Sequence, residues 1–197
     1  MAVEYEQVEI TSRAQWRAWL TEHSGESPGI WLVTFKKAAG DRYVRYADVV
    51  EEALCFGWID GQARKLDGER SQLLLTPRRK GSGWSRPNKE RVGRLLAAGH
   101  IEPPGLAAIE RAKADGSWTA LDDIENLVEP DDLRAALDRD PEARWHWDAF
   151  PRSAKRGILE WIAAAKRPET REKRVAVTAE SAARGVRANQ WRPPEGR

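Results

Sequence analysis

The spacing of apolar residues changes character along the chain. From Thr11 to Leu20 the apolar residues Trp16, Trp19 and Leu20 recur at helical intervals, and Thr11 or Ser12 offers an N-cap. Ser27-Pro28-Gly29 breaks that pattern. Ile30 to Phe35 is then a short run of β-branched and aromatic residues, which predicts a buried strand. Tyr43 to Tyr46 reads as a second short strand. Ala47 to Phe56 reads as a helix with Val49, Val50, Ala53 and Leu54 inward and Gly57 as its stop. Trp58 to Gly61 opens a hairpin that turns at Asp67-Gly68 and returns over Gln72 to Thr76.

Beyond residue 77 the pattern is helical. A loop from Pro77 to Gly83 leads into a helix that starts near Ser85 and Pro87, with Val92, Leu95 and Leu96 inward. Further helices start at Pro103, at Pro130, at Asp140-Pro141, at a Ser153 cap and at Pro168. Strands before helices argue for an α+β fold. We expect a small antiparallel or mixed sheet with helices, followed by an all-helical C-terminal half. The expected divisions are an N-terminal helical segment over 1–27, an α+β core over 28–100, a helical region over 101–186 and a disordered tail over 187–197.

Composition narrows the setting. Apolar residues make up 41% and charged residues 32% of the 197, a soluble globular balance. No apolar run is long enough to cross a bilayer, so membrane insertion is not expected. Met1 to Ile10 carries Glu4, Glu6 and Glu9 and no apolar centre, so no secretory signal is expected. A single cysteine, Cys55, leaves no disulfide framework. These features point to a cytoplasmic protein.

The net charge of +2 conceals blocks. Residues 1–60 carry −4, residues 61–100 carry +7, residues 101–150 carry −8 and residues 151–197 carry +7. The blocks either neutralise one another by packing, or the two basic ones converge on an anion-binding face. Of the 33 basic residues 24 are Arg, the side chain suited to bidentate contact with carboxylate or phosphate.

Two stretches carry candidate chemistry. Pro77 to Lys89 places Arg78, Arg79 and Lys80 before two glycines, then Trp84 and Ser85 at a helix start, with Asn88 one turn on. Helix-terminal N–H groups and cations together suit an anion. The run is not a Walker A loop, and its plain alternative is a solvated basic loop. On the last helix, steps of about 100° per residue put Arg171 on the inward side. It therefore needs a carboxylate partner or a bound anion. Asp60 is one such carboxylate; if the last helix packs against the loop, Arg78, Arg79, Arg171 and Arg174 share one concavity, and Asp122, Asp123, Asp131 or Asp132 is the rival to an anion there. We expect Asp60 to lie within salt-bridge distance of at least one of Arg78, Arg79, Arg171 and Arg174. Trp84 is expected to be partly exposed beside the arginine loop.

These stretches also support a resemblance. Glu52 to Gly61, then Thr76-Pro77-Arg78-Arg79 with Trp84-Ser85 and Asn88, then Ala165-Lys166-Arg167 with Thr170-Arg171 and Arg174, together resemble the YdeI/OmpD-associated family, labelled bacteriocin protection. The resemblance spans roughly residues 28–185. It implies a bacterial cytoplasmic protein linked by name to envelope stress, with no agreed activity. It adds weight to Asp60, Arg78, Arg79, Trp84, Ser85, Asn88, Arg171 and Arg174 as ligand-binding candidates.

No residue stands out as catalytic. His23, His100 and His146 lack partners at metal-ligand spacing, so no metal is expected, and no cofactor either. Ser85 has no evident base. Cys55 lies among apolar neighbours and reads as a buried structural thiol. The expected partner is a small anion or an acidic protein segment. The acidic block and the low net charge argue against nucleic acid. The alternatives are a small enzyme using Asp60 with the arginines and a weak nucleic-acid binder.

Overall fold

The computed structural model describes residues 4–190. The chain forms two compact units, 1–120 and 121–197. In the first, β1 (Glu6–Glu9), α1 (Arg13–His23), β2 (Ile30–Phe35), α2 (Tyr46–Cys55), β3 (Trp58–Lys65), β4 (Arg70–Pro77), α3 (Arg86–Ala97) and α4 (Pro103–Ala114) follow in order. The sheet order is β1-β2-β4-β3. β1 runs parallel to β2, while β4 is antiparallel to both β2 and β3, so the sheet is mixed.

The register fixes which residues reach the helices. Ile30 pairs with Leu75 and Leu32 with Leu73, and Asp60 also faces Leu75, so all share one face. That face meets Val49, Val50 and Leu54 of α2 in a core with Trp16, Leu20 and Trp58. α1 is started by Ser12, whose hydroxyl accepts from Gln15 N–H at 3.1 Å, and is tied to α2 by Trp16 Nε1 donating to the Val49 carbonyl at 3.1 Å. Gly57 ends α2 at φ +75°, where a Cβ would also stand 2.8 Å from the Pro104 carbonyl oxygen.

The second unit is helical: α5 (Asp122–Glu125), α6 (Asp131–Asp138), α7 (Pro141–Ala149), α8 (Arg152–Ala163) and α9 (Pro168–Ala183). α9 packs on α6, α7 and α8. Leu133, Leu137, Trp147, Ile158, Ile162 and Ala182 form its core. The Trp147 indole N–H donates to Glu129 at 2.7 Å, so the buried ring keeps a polar partner.

The fold class agrees with the expectation, and several details correct it. β1 lies inside the segment expected to be only helical. Residues 43–45 are not a strand: a 3-10 turn over Lys37–Arg42 precedes them, and Tyr46 already begins α2. Leu96 is 42% exposed rather than inward, because Val92 and Leu95 fill the buried stripe of α3. α8 is entered from Pro151 and not capped by Ser153. From 191 onward the expected disordered tail lies outside the described residues.

Candidate functional site

At the end of β4 the backbone of Arg78 is clamped from two sides. Its N–H donates to the Gly57 carbonyl at 2.9 Å, and its carbonyl accepts from Arg111 Nη2 at 3.0 Å. The side chain turns inward and is only 5% exposed. Its guanidinium carbon lies 3.7 Å from the centre of the Trp84 ring. Nη1 donates to the Gly83 carbonyl at 3.2 Å and meets Ser82 Oγ at 3.5 Å. Nε and Nη2 are buried and have no hydrogen-bond partner.

The loop after β4 creates this arrangement. Gly81 adopts φ +76°, and its N–H donates to Asp115 at 3.1 Å, so the chain doubles back and brings the Gly83 carbonyl and the Trp84 ring to Arg78. Trp84 then packs against Trp118 with ring centres 5.0 Å apart. It is 1% exposed, which corrects the expectation of a partly exposed ring: it is an anchor under the loop. Burial pulls the Arg78 guanidinium down to about 10, opposed in part by the charge of Asp60.

Asp60 sits on the inward face of β3, where its carboxylate accepts from the Tyr46 hydroxyl. Burial, then that donation, pushes the Tyr46 phenol up to about 12. Among the described residues Asp60 makes no ion pair within 4.0 Å with Arg78 or Arg79, and its Oδ2 is engaged by Tyr46; Arg171 and Arg174, the other two arginines expected for it, are engaged elsewhere. Tyr46 is the site residue that sequence reasoning missed. It is 14 positions from Asp60, and only the start of α2 against β3 brings the two together.

The helix start contributes less than its composition implies. Ser85 occupies the N-cap of α3 but makes no side-chain cap bond. Pro87 has no N–H, and the N–H groups of Asn88 and Lys89 both bond to the Ser85 carbonyl at 3.0 Å. Asn88 Oδ1 accepts from Arg91 at 3.0 Å. Arg79 is exposed. The buried donors without an acceptor here are those of the Arg78 guanidinium, whereas the N–H groups of Asn88 and Lys89 are satisfied within the helix.

Arg171 and Arg174 belong to the second unit, where each has a partner. Arg171 Nε and Nη2 donate to the two oxygens of Asp132 at 2.7 and 2.9 Å. Those bonds hold the Asp132 carboxyl below its ordinary range. Arg174 donates to the Trp161 carbonyl and lies 5.0 Å from that ring. Among the described residues no group of three or more His, Cys, Asp or Glu could hold a metal ion, and no helix is long and apolar enough to cross a membrane.

The molecule is thus a mixed sheet with helices around a buried arginine, followed by a separate helical unit. Residues 8–108, just over half the chain, match the family described as Domain of unknown function (DUF8412), and the chain belongs to that family. Residues 126–185 match the family described as Bacteriocin-protection, YdeI or OmpD-Associated, a partial match that supports the resemblance read from the motifs. It covers Arg171 and Arg174, whereas Asp60 and the Arg78–Asn88 stretch fall within the other match. No curated protein and no solved structure matches the chain.

Proposed function

We propose that the first unit is a binding module for a small anion, with Arg78 as its principal donor and Trp84 as the wall behind the guanidinium. The observation that carries this reading is the pair of buried, unpartnered donors Nε and Nη2. They form one edge of the guanidinium fork, the edge that Arg171 presents to the carboxylate of Asp132. That edge matches a carboxylate or a phosphate bidentately. A buried cation without such a partner is costly, and an anion offsets the cost. With Arg78 this deeply buried, a small ion fits the reading better than an acidic protein segment, and entry requires the loop over 79–83 to lift. Arg79, Ser85 and Asn88 then stand at its rim. Arg171 and Arg174 are left out of the site, because Asp132 and Trp161 already engage them.

A small enzyme built on Asp60 has less support, because no arginine pairs with its carboxylate among the described residues and only the Tyr46 hydroxyl is bonded to it. A link to bacteriocin protection belongs to the same proposal and rests on the wording of the family description, whereas the cytoplasmic setting rests on the composition and the single cysteine. The test is calorimetric titration of phosphate, sulfate and acetate into the wild-type chain and into Arg78→Met. Binding by the wild type that is lost in the variant supports the site. No binding by the wild type, or equal binding by both, rejects it.

A further inference from the structure

We propose a second ligand site, independent of Arg78: the cavity beside Tyr46 binds a small aromatic carboxylic acid. The cavity holds about 340 Å³, at the small end of the range for ligand pockets. Its floor is apolar and comes from separate elements, with Val44 before α2, Val49 within α2 and Leu73 on β4, all buried. Two aromatic side chains flank that floor in solvent, Tyr43 at 39% and Tyr46 at 55% exposure. Large aromatics left in water beside an apolar hollow are what a flat apolar ligand would cover.

The space has a local cause. β3 carries a bulge between Asp60 and Ala63, and Ala63 opposite Leu73 presents only a methyl group. A larger side chain there would reach across the hollow. The Tyr46 wall is held in place by donation of its hydroxyl to Asp60.

The polar groups select the ligand's charge. Lys36 and Lys37 line the cavity, and none of the lining residues is acidic. The Lys36 ammonium is anchored in the hairpin turn, where it donates to the carbonyls of Asp67 and Gly68 at 2.9 and 2.8 Å, so Lys37 is the cation the cavity has to offer a ligand. Lys37 is exposed at the rim. Thr34 and Ser71 share a 3.4 Å hydroxyl contact on the same wall, and each keeps capacity for a further bond. An aromatic ring against Tyr43 and Tyr46, with its carboxylate toward Lys37 and the two hydroxyls, uses these features.

The test titrates benzoate and phenylacetate into the full chain by calorimetry and by amide NMR, with benzyl alcohol as the neutral arm and inorganic phosphate as the anion without an apolar body. The variants are Ala63→Phe, which fills the cavity from an exposed edge-strand position, and Lys37→Gln, which removes a rim charge. The expected result is binding of both acids to wild type, weakened at least about tenfold in Ala63→Phe. Lys37→Gln weakens the acids about two- to fivefold and leaves benzyl alcohol unchanged, the range of an exposed ion pair. In Arg78→Met the amide shifts that the acids induce around Tyr46, Val49 and Leu73 persist, which separates this site from the one above. The proposal is overturned by no binding to wild type at about 10 mM probe. Equal affinity for benzyl alcohol and benzoate also overturns it, as does binding that survives in Ala63→Phe, or that phosphate competes away.

Discussion

Arg78→Met asks whether the buried cation serves the fold or a ligand. The side chain is 5% exposed, so its charge is held against solvation. The shift from 12.5 to about 10 corresponds to about 3 kcal/mol set against the charged form in the folded state. The sign is that of a depressed base: at neutral pH the cation reduces stability, and the loss would be relieved only above the folded value. Against this stand the bond to the Gly83 carbonyl, worth about 1.5–3 kcal/mol for a charged donor, and the stacking on Trp84, worth about 2 kcal/mol when desolvated. Together they offset the penalty and leave about 0.5–2 kcal/mol in favour of the cation, against which Met sets its own buried apolar contacts. Met fills a similar volume with no buried donors, so the ligand-free variant should unfold within about 1 kcal/mol of wild type in urea. With phosphate at about ten times its dissociation constant, wild type should gain about 1.4 kcal/mol and the variant nothing. A loss above about 3 kcal/mol in the ligand-free variant would refute the reasoning and make Arg78 a structural clamp.

Three further outcomes follow from the same structure. Trp84→Ala should cost about 3–5 kcal/mol in urea unfolding, because the ring is fully buried against Trp118; a change below about 1 kcal/mol would restore the exposed reading. Asp48 accepts from Arg45 at 2.7 Å and from Arg13 at 3.0 Å, and the Arg45 bond leads in holding its carboxyl below 3.8 despite burial. The stability gap between wild type and Asp48→Asn should therefore be full above about pH 5 and shrink as pH falls below 3.8, measured by thermal melts across pH. Burial, then the charge of Glu52, pushes the Cys55 thiol up to about 11, so a thiol-reactive disulfide reagent at about pH 8 should modify it in urea and not in the native chain.

Local chemistry was legible and long-range pairing was not. Asp67-Gly68 announced the hairpin of β3 and β4. Asp140-Pro141 announced α7, where the Asp140 side chain accepts from Glu142 N–H at 2.9 Å. β1 escaped because Glu6-Gln7-Val8-Glu9 shows a single apolar residue, and its pairing with β2 is parallel and joined through α1. Tyr43 to Tyr46 has strand composition, but the 3-10 turn before it delivers the chain directly to α2. Arg171 was read as inward-facing from helical spacing alone, and Asp132 was among the carboxylates named for that place. The choice among four neighbouring acids depended on how α6 meets α9. The partner of Asp60 was out of reach for the same reason: nothing local links residues 46 and 60.

The charge blocks explain why Arg78 stands apart. Within the first unit Arg13 and Arg17 of α1 are taken by Asp48, Glu51 and Glu52 of α2, and Arg70 by Glu9 and Asp67. Arg94 reaches Glu51, and Arg64 lies over Trp31 while donating to Gln72. Within the second unit Arg144 is held by Glu129 and Asp138, Arg156 by Glu125 and Arg171 by Asp132. Four of these pairs, Arg70–Glu9, Arg94–Glu51, Arg156–Glu125 and Arg171–Asp132, join a basic block to an acidic one within a single unit. Such pairs contribute little individually where they are exposed, and they organise helix contacts where they are buried. Arg78 follows neither pattern. It is deeply buried, it has no carboxylate in contact, and one edge of its fork lacks any acceptor. A fold that supplies carboxylates to so many other arginines, and holds Asp60 nearby on Tyr46, had the means to pair this one as well. Under the function proposed above, this is the cation left for an anion from outside the chain.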